Sequence, residues 1–433
     1  MKYYCIGIKG SGMSTLAQIL YDLGNEVSGY DDVVDYKFTQ EGLDRRGIKI
    51  YHEAHPIDSD TIVTYSAAFS LDHPEIKRVM ELGLTIQSYH DLLGDLSRKF
   101  ETICVSGTHG KTTTSTLISH VLTNTLGCNY FIGDGSGYAT LDNKYFVLES
   151  CEFQKHFLAY TPTYTIITNI ELEHTECYDG IEDIRNTFSK FSSFTKNSII
   201  ACGDDKNIRM LSFTKPVLYY GFREDNDVVA KDVVYSHEGI SFTVYFKDEE
   251  FGRFDLPLFG RHMLLDALAA ITMCHELSIS YDTMHELLKT FENAKRRFKE
   301  TVVGNNVVID DYAHHPTEIQ VTLQAARQKY PDKELVVVFK PNTYSRTDAL
   351  KDGFIEALKT ADKAYMTEID CNRERSEDYP DVNSQMILDK VPNSEIIGMD
   401  TMDKLLDFKN AVICFMSCAD VSHMIDKYYE LVK

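Results

Sequence analysis

The sequence lacks a long apolar run, a low-complexity tract and any Cys-x-x-Cys pair. A membrane helix needs about 20 consecutive apolar residues, and glycines interrupt the N-terminus before a signal-type stretch forms, so we expect no membrane insertion. We expect the ten scattered cysteines to be reduced, buried thiols rather than disulfides or zinc ligands. The hydrophobic fraction of 43% is typical of a globular chain, so we predict a folded, cytoplasmic protein.

Basic residues are also in short supply. The chain has 44 lysines and arginines against 66 aspartates and glutamates, a formal net charge of −22. A field of that sign repels nucleic acid and anionic membranes, which argues against nonspecific binding to either. Charges are screened beyond about 8 Å at physiological salt, so a local basic cluster such as Lys295–Lys299 can still bind a phosphate or a carboxylate.

The 433 residues predict three α/β domains in series. The first begins as strand, glycine turn and helix, which is typical of a Rossmann-like unit. The second starts with the strand Thr102–Ser106 and contains alternating segments within 217–257 that favour a small antiparallel sheet. The third alternates strands and helices again, which favours a mostly parallel sheet covered on both faces. We predict domain ranges of 1–98, 99–297 and 298–433.

The most informative local pattern is a glycine-rich loop between the strand Thr102–Ser106 and a helix. Its backbone N–H groups can hold phosphate oxygens, Lys111 can neutralise the charge of the transferred group, and the Thr112 hydroxyl can bind Mg²⁺. The alternative is a glycine turn that merely precedes a helix. We predict a nucleotide site, with ATP as the nucleotide, formed by Gly107, Thr108, His109, Gly110, Lys111, Thr112 and Thr113.

A second glycine turn lies at Gly7, Gly10 and Gly12. Dinucleotide dehydrogenases begin in the same way and place an acid about 20 residues further on, a spacing that Asp31 and Asp32 fit. The turn alone leaves a nicotinamide cofactor open, although a second phosphate-bearing ligand is the more conservative interpretation.

Acidic residues follow two strands of the predicted central sheet. Glu149 and Glu152 end one strand, and Glu171, Glu173 and His174 follow the next. The carboxyl ends of parallel strands meet at the ligand-binding edge, so these side chains can complete a magnesium shell. Each of them, taken singly, could equally be a solvated acid or a hydrogen-bonded histidine.

The string Asp310-Asp-Tyr-Ala-His-His-Pro-Thr-Glu318 leaves a strand and enters a helix at Pro316. Its acids and imidazoles can orient a nucleophile or a phosphate, whereas the alternative is a hydrogen-bonded turn that caps the helix. Arg346 and the Lys295–Lys299 cluster can hold an anion in a bidentate manner, or they can be solvated surface charges.

Together these motifs resemble the Mur ligases, and they do so in order over nearly the whole chain. The string at 310–318 is far more specific than either glycine turn. The resemblance rests on Gly7-Ile-Lys-Gly-Ser-Gly-Met-Ser14, Gly107-Thr-His-Gly-Lys-Thr-Thr113, Thr168-Asn-Ile170 with His174, Lys295-Arg-Arg-Phe298, the string at 310–318 and Ser345-Arg-Thr347.

The resemblance implies an ATP-dependent ligase that joins L-alanine to the lactyl carboxylate of UDP-N-acetylmuramate, with Mg²⁺ as cofactor. The first domain would hold the UDP-sugar, the second ATP, and the third would close over both. The oligomeric state stays open, with a homodimer as one expectation. The implied UDP-sugar residues are Gly10, Ser11, Gly12, Met13, Ser14, Asp31, Arg296 and Arg297; the implied metal ligands are Thr112, Glu152 and His174; and the implied catalytic residues are Lys111, His174, Asp311, His315 and Arg346.

The chain departs from the family pattern in three places, at Asp266 on the adenine side, at Phe339-Lys-Pro-Asn342 and at Ser417-Cys-Ala-Asp420. Asp266 can accept a hydrogen bond from the adenine amino group, so we keep it in the predicted ATP site. The departures motivate one alternative, a UDP-sugar-binding regulator without catalysis. A second alternative is a ligase of the same family that attaches a preformed tripeptide to the same sugar.

Overall fold

A computed structural model describes residues 1–173, 177–371 and 374–433. Its first layer is a five-stranded sheet in the order β3-β2-β1-β4-β5, and every neighbouring pair is parallel. The elements of this layer are β1 (Lys2–Ile6), α1 (Ser11–Asp22), β2 (Glu26–Tyr30), α2 (Glu41–Asp44), β3 (Lys49–Tyr51), β4 (Thr61–Tyr65), α3 (Pro74–Glu81), β5 (Thr85–Ser88) and α4 (Tyr89–Ser97).

The second layer is a ten-stranded sheet in the order β15-β14-β13-β12-β11-β10-β6-β9-β7-β8. Its elements are β6 (Glu101–Ser106), α5 (Lys111–Thr123), β7 (Cys128–Ile132), β8 (Ser136–Tyr138), β9 (Tyr145–Glu149), β10 (Tyr164–Ile167), α6 (Ile181–Ser192), β11 (Ile199–Cys202), α7 (Lys206–Arg209), β12 (Val217–Gly221), β13 (Val228–Tyr235), β14 (Ile240–Phe246), β15 (Glu249–Leu256), α8 (Arg261–Glu276) and α9 (Tyr281–Leu288). The predicted strands within 217–257 therefore extend the central sheet rather than forming a separate one.

The third layer is a six-stranded sheet in the order β16-β17-β21-β18-β19-β20, with β16 antiparallel to β17 and the other pairs parallel. Its elements are β16 (Lys299–Val303), β17 (Asn306–Asp311), α10 (Pro316–Lys329), β18 (Glu334–Phe339), α11 (Tyr344–Ala349), α12 (Lys351–Leu358), β19 (Lys363–Met366), α13 (Gln385–Leu388), β20 (Ser394–Ile396), β21 (Ala411–Met416) and α14 (Ser422–Val432). Short 3₁₀ helices cover Phe38–Gln40, Phe153–Ala159, Ser376–Asp378 and Met399–Asp407.

Alternation along the strands explains why the third sheet is covered on both faces. Val337 and Phe339 pack into a core with α10 and α12 residues on one face, whereas Val336 and Val338 pack with α14 residues on the other. Successive side chains of a strand point to opposite faces, so a strand that is apolar throughout must be buried twice. The predicted three-domain α/β fold is confirmed.

The chain forms two compact units. The first contains Met1–Asp232, Phe242–Phe254 and Leu265–Phe291, and the second contains Val233–Ser241, Asp255–Leu264 and Glu292–Lys433. The predicted domain boundaries at 98 and 297 stay predictions. Among the described residues, no helix combines the length and the apolar composition needed to cross a bilayer.

Inside the first unit, α1 packs on the hairpin formed by β7 and β8. The Gln18 side-chain amide donates to the carbonyl of Gly135 at 2.7 Å, and the Arg46 guanidinium donates to the carbonyl of Gly137 at 3.0 Å. A Cβ on Gly137 would lie only 2.6 Å from the Thr15 carbonyl oxygen. The first two sheets are therefore joined by hydrogen bonds from side chains of the first to backbone carbonyl groups of the second.

Candidate active site

The loop Gly107–Gly110 connects β6 to α5, and its two glycines have backbone angles that favour glycine. Gly107 has φ of 137° and Gly110 has φ of 82°. A Cβ on Gly107 would lie 2.0 Å from Thr168 Oγ1, and one on Gly110 would lie 2.2 Å from Asp266 Oδ1. Neither position has room for a side chain, so the loop depends on both glycines.

Residues that follow β10 hold this loop in place, because β10 pairs directly with β6. The Asn169 side chain accepts from the His109 N–H at 2.8 Å and donates to the His109 carbonyl at 2.9 Å. The Glu171 N–H donates to Thr108 Oγ1 at 2.8 Å. Asn169 is absent from the predicted site, although its place directly after a strand next to the loop strand is a usable signal.

Lys111 is the first residue of α5, and its ammonium lies among loop carbonyls and acids. Nζ is 2.5 Å from the Gly107 carbonyl oxygen and 3.0 Å from Glu152 Oε2. Burial by itself would lower the pKa of Lys111, but the negative charges of Glu152, Glu173 and Glu149 outweigh it and raise that pKa above its ordinary value. Lys111 is therefore a fixed cation at the start of the helix.

Glu149 ends β9 and connects two parts of the site. Thr112 Oγ1 donates to Glu149 Oε1 at 3.0 Å, and the Gly133 N–H donates to Glu149 Oε2 at 2.7 Å. The structure thus gathers Lys111, Thr112, Glu149 and Glu152 at the start of α5. The predicted metal ligand His174 lies outside the described residues.

The donors at this cluster suit Mg²⁺. Thr112 offers a hydroxyl oxygen, Glu149 and Glu152 offer carboxylate oxygens, and Glu152 is only 3% exposed. Hard oxygen ligands are those that Mg²⁺ prefers. A nearby thiol does not compete, because burial raises the pKa of Cys151 to about 12 and keeps it protonated.

The predicted adenine contact Asp266 lies on α8 and is 5% exposed. Its carboxylate lies beside Gly110, as the 2.2 Å spacing from an added Cβ indicates. The structure therefore brings Asp266 to the phosphate loop itself, within the same unit. Its part in recognising adenine stays a prediction.

The first glycine turn lies between β1 and α1, at the carboxyl edge of the first sheet. Gly7 has φ of 82°, and Gly10 precedes the first residue of α1, so Ser11–Ser14 form the first helical turn. The Asp31 carboxylate is 4% exposed and accepts from the backbone N–H groups of Lys9 at 2.8 Å and Val33 at 3.1 Å. Asp31 thus holds the turn, and its part in binding the UDP-sugar stays a prediction.

In the second unit, the string at 310–318 leaves β17 and caps α10. The His315 imidazole accepts from the Thr317 N–H at 3.3 Å, and Glu318 accepts from the N–H groups of His314 and His315, which completes a capping box. Both Asp311 oxygens accept backbone N–H groups, from Ala313 and Phe298. The predicted alternative of a hydrogen-bonded turn therefore describes this geometry, and the catalytic parts of Asp311 and His315 stay predictions.

Arg296 and Arg297 both lie near the Tyr312 ring. Arg296 is 9% exposed, pairs with Asp310 at 3.1 Å and donates to the Ser417 carbonyl at 2.9 Å. The Arg297 guanidinium carbon lies 5.1 Å from the centre of the Tyr312 ring. Arg296 therefore braces the third sheet. Whether either arginine contacts the UDP-sugar stays a prediction.

Arg346 lies in the first turn of α11, and its helix is held by a residue that sequence patterns missed. The Glu374 carboxylate accepts from the N–H groups of Tyr344 at 2.5 Å and Ser345 at 3.1 Å, and also from the Ser345 hydroxyl. Thr343, which precedes the helix, makes no side-chain cap. No motif marks Glu374, because it follows a different strand 28 residues away from Arg346.

Ser417, which replaces a glycine of the family pattern, is fully integrated into the fold. Its hydroxyl donates to the Lys340 carbonyl at 2.8 Å and accepts from the Ala419 N–H at 2.9 Å. The departure at this position is thus compatible with a well-ordered turn after β21.

Three family models match successive segments of the chain. A family model for the "Mur ligase family, catalytic domain" matches residues 2–101, the "Mur ligase middle domain" matches 105–274, and the "Mur ligase, glutamate ligase domain" matches 296–415. The matched segments coincide with the three sheets described above.

Relatives match over the full length of the chain. The UDP-N-acetylmuramate–L-alanine ligase of Lactiplantibacillus plantarum is 44% identical, covering 99% of this chain and 98% of its own, and that of Limosilactobacillus reuteri is 42% identical, covering 100% and 99%. The crystal structure of the UDP-N-acetylmuramate-alanine ligase from Thermotoga maritima aligns with a TM-score of 0.84 at 26% identity, covering 99% of this chain and 98% of that one. A murein peptide ligase from Psychrobacter arcticus shares the fold, with a TM-score of 0.77 at 21% identity over 100% and 98% of the two chains. The chain belongs to the Mur ligase family.

Proposed function

We propose that this protein joins L-alanine to the lactyl carboxylate of UDP-N-acetylmuramate and converts ATP to ADP and phosphate in doing so. The observation that carries the proposal is the full-length identity of 42 to 44% to ligases named for this reaction. The phosphate loop at Gly107–Thr113, with Lys111 and two acids beside it, supports the use of ATP.

The reaction proceeds through an acyl phosphate. A carboxylate oxygen of the sugar attacks the terminal phosphorus of ATP, and the bond from that phosphorus to the bridging oxygen breaks to release ADP. The amine of L-alanine then attacks the acyl carbon, and inorganic phosphate leaves from the tetrahedral intermediate. The protein performs little covalent chemistry here, so positioning and charge neutralisation dominate.

Lys111 neutralises the charge that accumulates on the transferred phosphoryl group, and the N–H groups of the loop orient its oxygens. Thr112 and Glu152 would hold Mg²⁺, together with His174, and the ion would supply further neutralisation of the phosphates. The Thr112 hydroxyl donates its hydrogen to the Glu149 carboxylate, which leaves the lone pairs of the hydroxyl oxygen for the metal ion.

The remaining predicted residues serve the two other substrates. Ser11, Gly12 and Met13 present N–H groups of the first helical turn to the diphosphate. Gly10 and Ser14 shape that turn, because their own donors bond the carbonyl groups of Gly7, Gly10 and Ser11. Arg297 and Arg346 contact anionic groups of substrate, and His315 assists removal of the ammonium proton of L-alanine. Asp311 and Arg296 act by holding the segments that carry these residues, in line with their backbone contacts.

Two other functions make different predictions for the same assay. A tripeptide-adding ligase would release phosphate with a preformed tripeptide and not with L-alanine. A binding-only regulator would retain UDP-N-acetylmuramate and release no phosphate with either. The alternative of a nicotinamide enzyme predicts cofactor binding at the first turn, which a fluorescence titration with NADH measures.

The deciding experiment measures ADP release with ATP, Mg²⁺ and UDP-N-acetylmuramate, with and without L-alanine, and identifies the product by mass spectrometry. We expect L-alanine-dependent ADP release that disappears when Mg²⁺ is chelated. Turnover with tripeptide alone, or no amino-acid-dependent turnover at all, would overturn the proposal.

We also propose that the protein works in the cytoplasm and that it forms a homodimer. Fractionation of cells followed by immunodetection tests the first statement. Light scattering during size-exclusion chromatography tests the second, and a monomeric mass across the working concentration range would contradict it.

A further inference from the structure

Lys9 lies within the first glycine turn, but its side chain points into the protein. The residue is only 2% exposed. Its Nζ donates to three consecutive carbonyl oxygens, those of Val33 at 2.8 Å, Val34 at 3.1 Å and Asp35 at 3.1 Å. An ammonium group has three donors, so this one is fully used by the segment that follows β2.

The backbone of Lys9 is fixed to the same segment. Its N–H donates to the Asp31 carboxylate at 2.8 Å, and its carbonyl accepts from the Thr39 hydroxyl at 2.6 Å. One residue of the turn therefore holds the start, the middle and the end of the stretch from 31 to 39.

The shape of this stretch depends on a cation. Three carbonyl oxygens that converge on one point repel each other. Each of them also needs a protein donor wherever water is kept from it. Burial lowers the pKa of Lys9, while the neighbouring charge of Asp31 opposes this effect. Burying the ammonium accordingly costs solvation energy, which the three carbonyl contacts and the charge of Asp31 offset.

The stretch lies where a ligand of this sheet would be. It follows the carboxyl end of β2, beside the turn between β1 and α1, and in open α/β sheets ligands bind at that edge. Its outer surface carries two exposed apolar side chains, Val34 at 71% and Tyr36 at 62%. A segment with an anchored inner side and a solvent-facing apolar outer side is suited to contact a ligand held by the turn.

We propose that Lys9 is a positioning residue for the UDP-sugar, which it serves by pinning residues 33–35 beside the diphosphate-binding turn and not by contacting phosphate. The inference rests on the proposed function, because that function makes the UDP-sugar the ligand of this turn. It adds to that function a cation inside the turn on which the geometry of the neighbouring segment depends.

The test uses Lys9→Met, which keeps the length of the side chain and removes the three donors. We expect KM for UDP-N-acetylmuramate to rise about tenfold or more, the loss that follows when three converging acceptors lose a charged donor. KM for ATP, KM for L-alanine and kcat at saturating sugar should stay within about twofold of wild type, since the other sites keep their contacts. Lys2→Met is the matched control, because Lys2 lies on β1 and pairs with the exposed Asp58 and Asp60.

A second variant keeps the proposal testable if Lys9→Met folds poorly. Lys9→Ala leaves a cavity that propylammonium can fill, whereas tetramethylammonium has no N–H donors. We expect propylammonium to lower KM for the sugar toward the wild-type value and tetramethylammonium to have no effect. Rescue by both ions alike, or by neither in a folded variant, would overturn the proposal.

Binding of UDP alone, measured by isothermal titration calorimetry, separates this inference from the proposed reaction. If wild type binds UDP and Lys9→Met binds it about tenfold more weakly, the positioning role holds even where L-alanine-dependent turnover fails. Unchanged UDP affinity and unchanged sugar KM in Lys9→Met, or an equal loss in all kinetic constants, would show that Lys9 has no such role.

Discussion

At the scale of single residues, the phosphate loop depends on a buried ion pair. Lys111 Nζ lies 3.0 Å from Glu152 Oε2, and the two side chains are 13% and 3% exposed. Removing one member of such a pair takes the counter-charge away from a buried ionic group, which costs about 3 to 5 kcal/mol. The lysine therefore has a structural part as well as a chemical one.

The first prediction follows from this pair. Lys111→Ala should lower kcat by about 10²- to 10³-fold or more, the typical loss of one charge-stabilising contact, and it should also lower the free energy of unfolding. ADP release and denaturant unfolding measure the two effects. Adding Glu152→Gln should restore stability without restoring activity, because the buried carboxylate then becomes neutral.

Lys144→Ala serves as the control for this prediction, since Lys144 is 60% exposed and pairs with Glu101 at the start of β6. It should behave as wild type in both measurements. Near-normal ligation by Lys111→Ala would mean that the loop does not hold the transferred phosphate.

A second residue prediction concerns Glu149, which orients the Thr112 hydroxyl. Glu149→Gln keeps the size of the side chain but offers an amide to two donors, so one contact is lost. The Mg²⁺ concentration for half-maximal ADP release should rise about tenfold, as is usual when a group behind a metal ligand is changed. A Mg²⁺ titration measures the shift, and Glu101→Gln on β6 is the control. An unchanged Mg²⁺ requirement in a folded variant would contradict this assignment.

At the scale of elements, α11 begins without a cap of its own and relies on Glu374. Glu374→Ala should lower the free energy of unfolding by about 1 kcal/mol, the usual effect of losing a helix cap. It should also lower kcat, because Arg346 lies in the turn that the cap holds. Denaturant unfolding and steady-state kinetics measure the two effects.

The exposed Glu356 of α12 pairs with Lys359 on the surface, so Glu356→Ala is the matched control. If Glu374→Ala were as stable and as active as that variant, the contacts at the start of α11 would have no consequence.

Elements with strong local signals were predictable. Pro316 and Glu318 mark the start of α10, and the predicted first residue, Pro316, is the observed one. The division between α11 and α12 has no such signal, because it depends on Leu350 leaving helical geometry. Short strands such as β8 and β20 carry only three residues each, too few for a periodic pattern to show.

The site was predictable where one loop contains it and not where distant segments meet. Lys111 and Thr112 are adjacent in sequence and stand together in the structure. Glu374 and Lys9 were missed as positioning residues, because their contacts depend on which backbone groups the fold brings near. Asp311 shows the opposite case. Its motif predicted a catalytic residue, whereas the structure shows its carboxylate oxygens accepting backbone N–H groups.

At the scale of the whole molecule, two stacked histidines couple stability to pH. The rings of His90 on α4 and His156 in the 3₁₀ helix Phe153–Ala159 have centres 3.3 Å apart. Burial lowers the pKa of His90 to about 2, with a further contribution from His156, and burial lowers the pKa of His156 to about 4. In the unfolded chain both histidines have a pKa of about 6.5.

The sign follows from proton binding. Between pH of about 6.5 and 4 the unfolded chain binds protons that the native rings exclude, so stability falls as the pH falls through this window. The double variant His90→Gln/His156→Gln should therefore lose less stability than wild type on going from pH 7 to pH 5, because glutamine binds no proton in the unfolded chain. Denaturant unfolding at each pH measures this, with the exposed His237→Gln as control. Parallel curves for wild type and the double variant would contradict the pKa directions.

The contact between α1 and the β7–β8 hairpin limits how this chain can be recombined with its relatives. Gln18 and Arg46 donate to carbonyl oxygens of Gly135 and Gly137, so each layer supplies only one half of every bond. A chimera that exchanged the first 98 residues for those of a relative would keep these bonds only if the incoming segment carried donors of the same reach. Whether the first two sheets fit together therefore depends on Gln18 and Arg46, which lie outside the proposed active site.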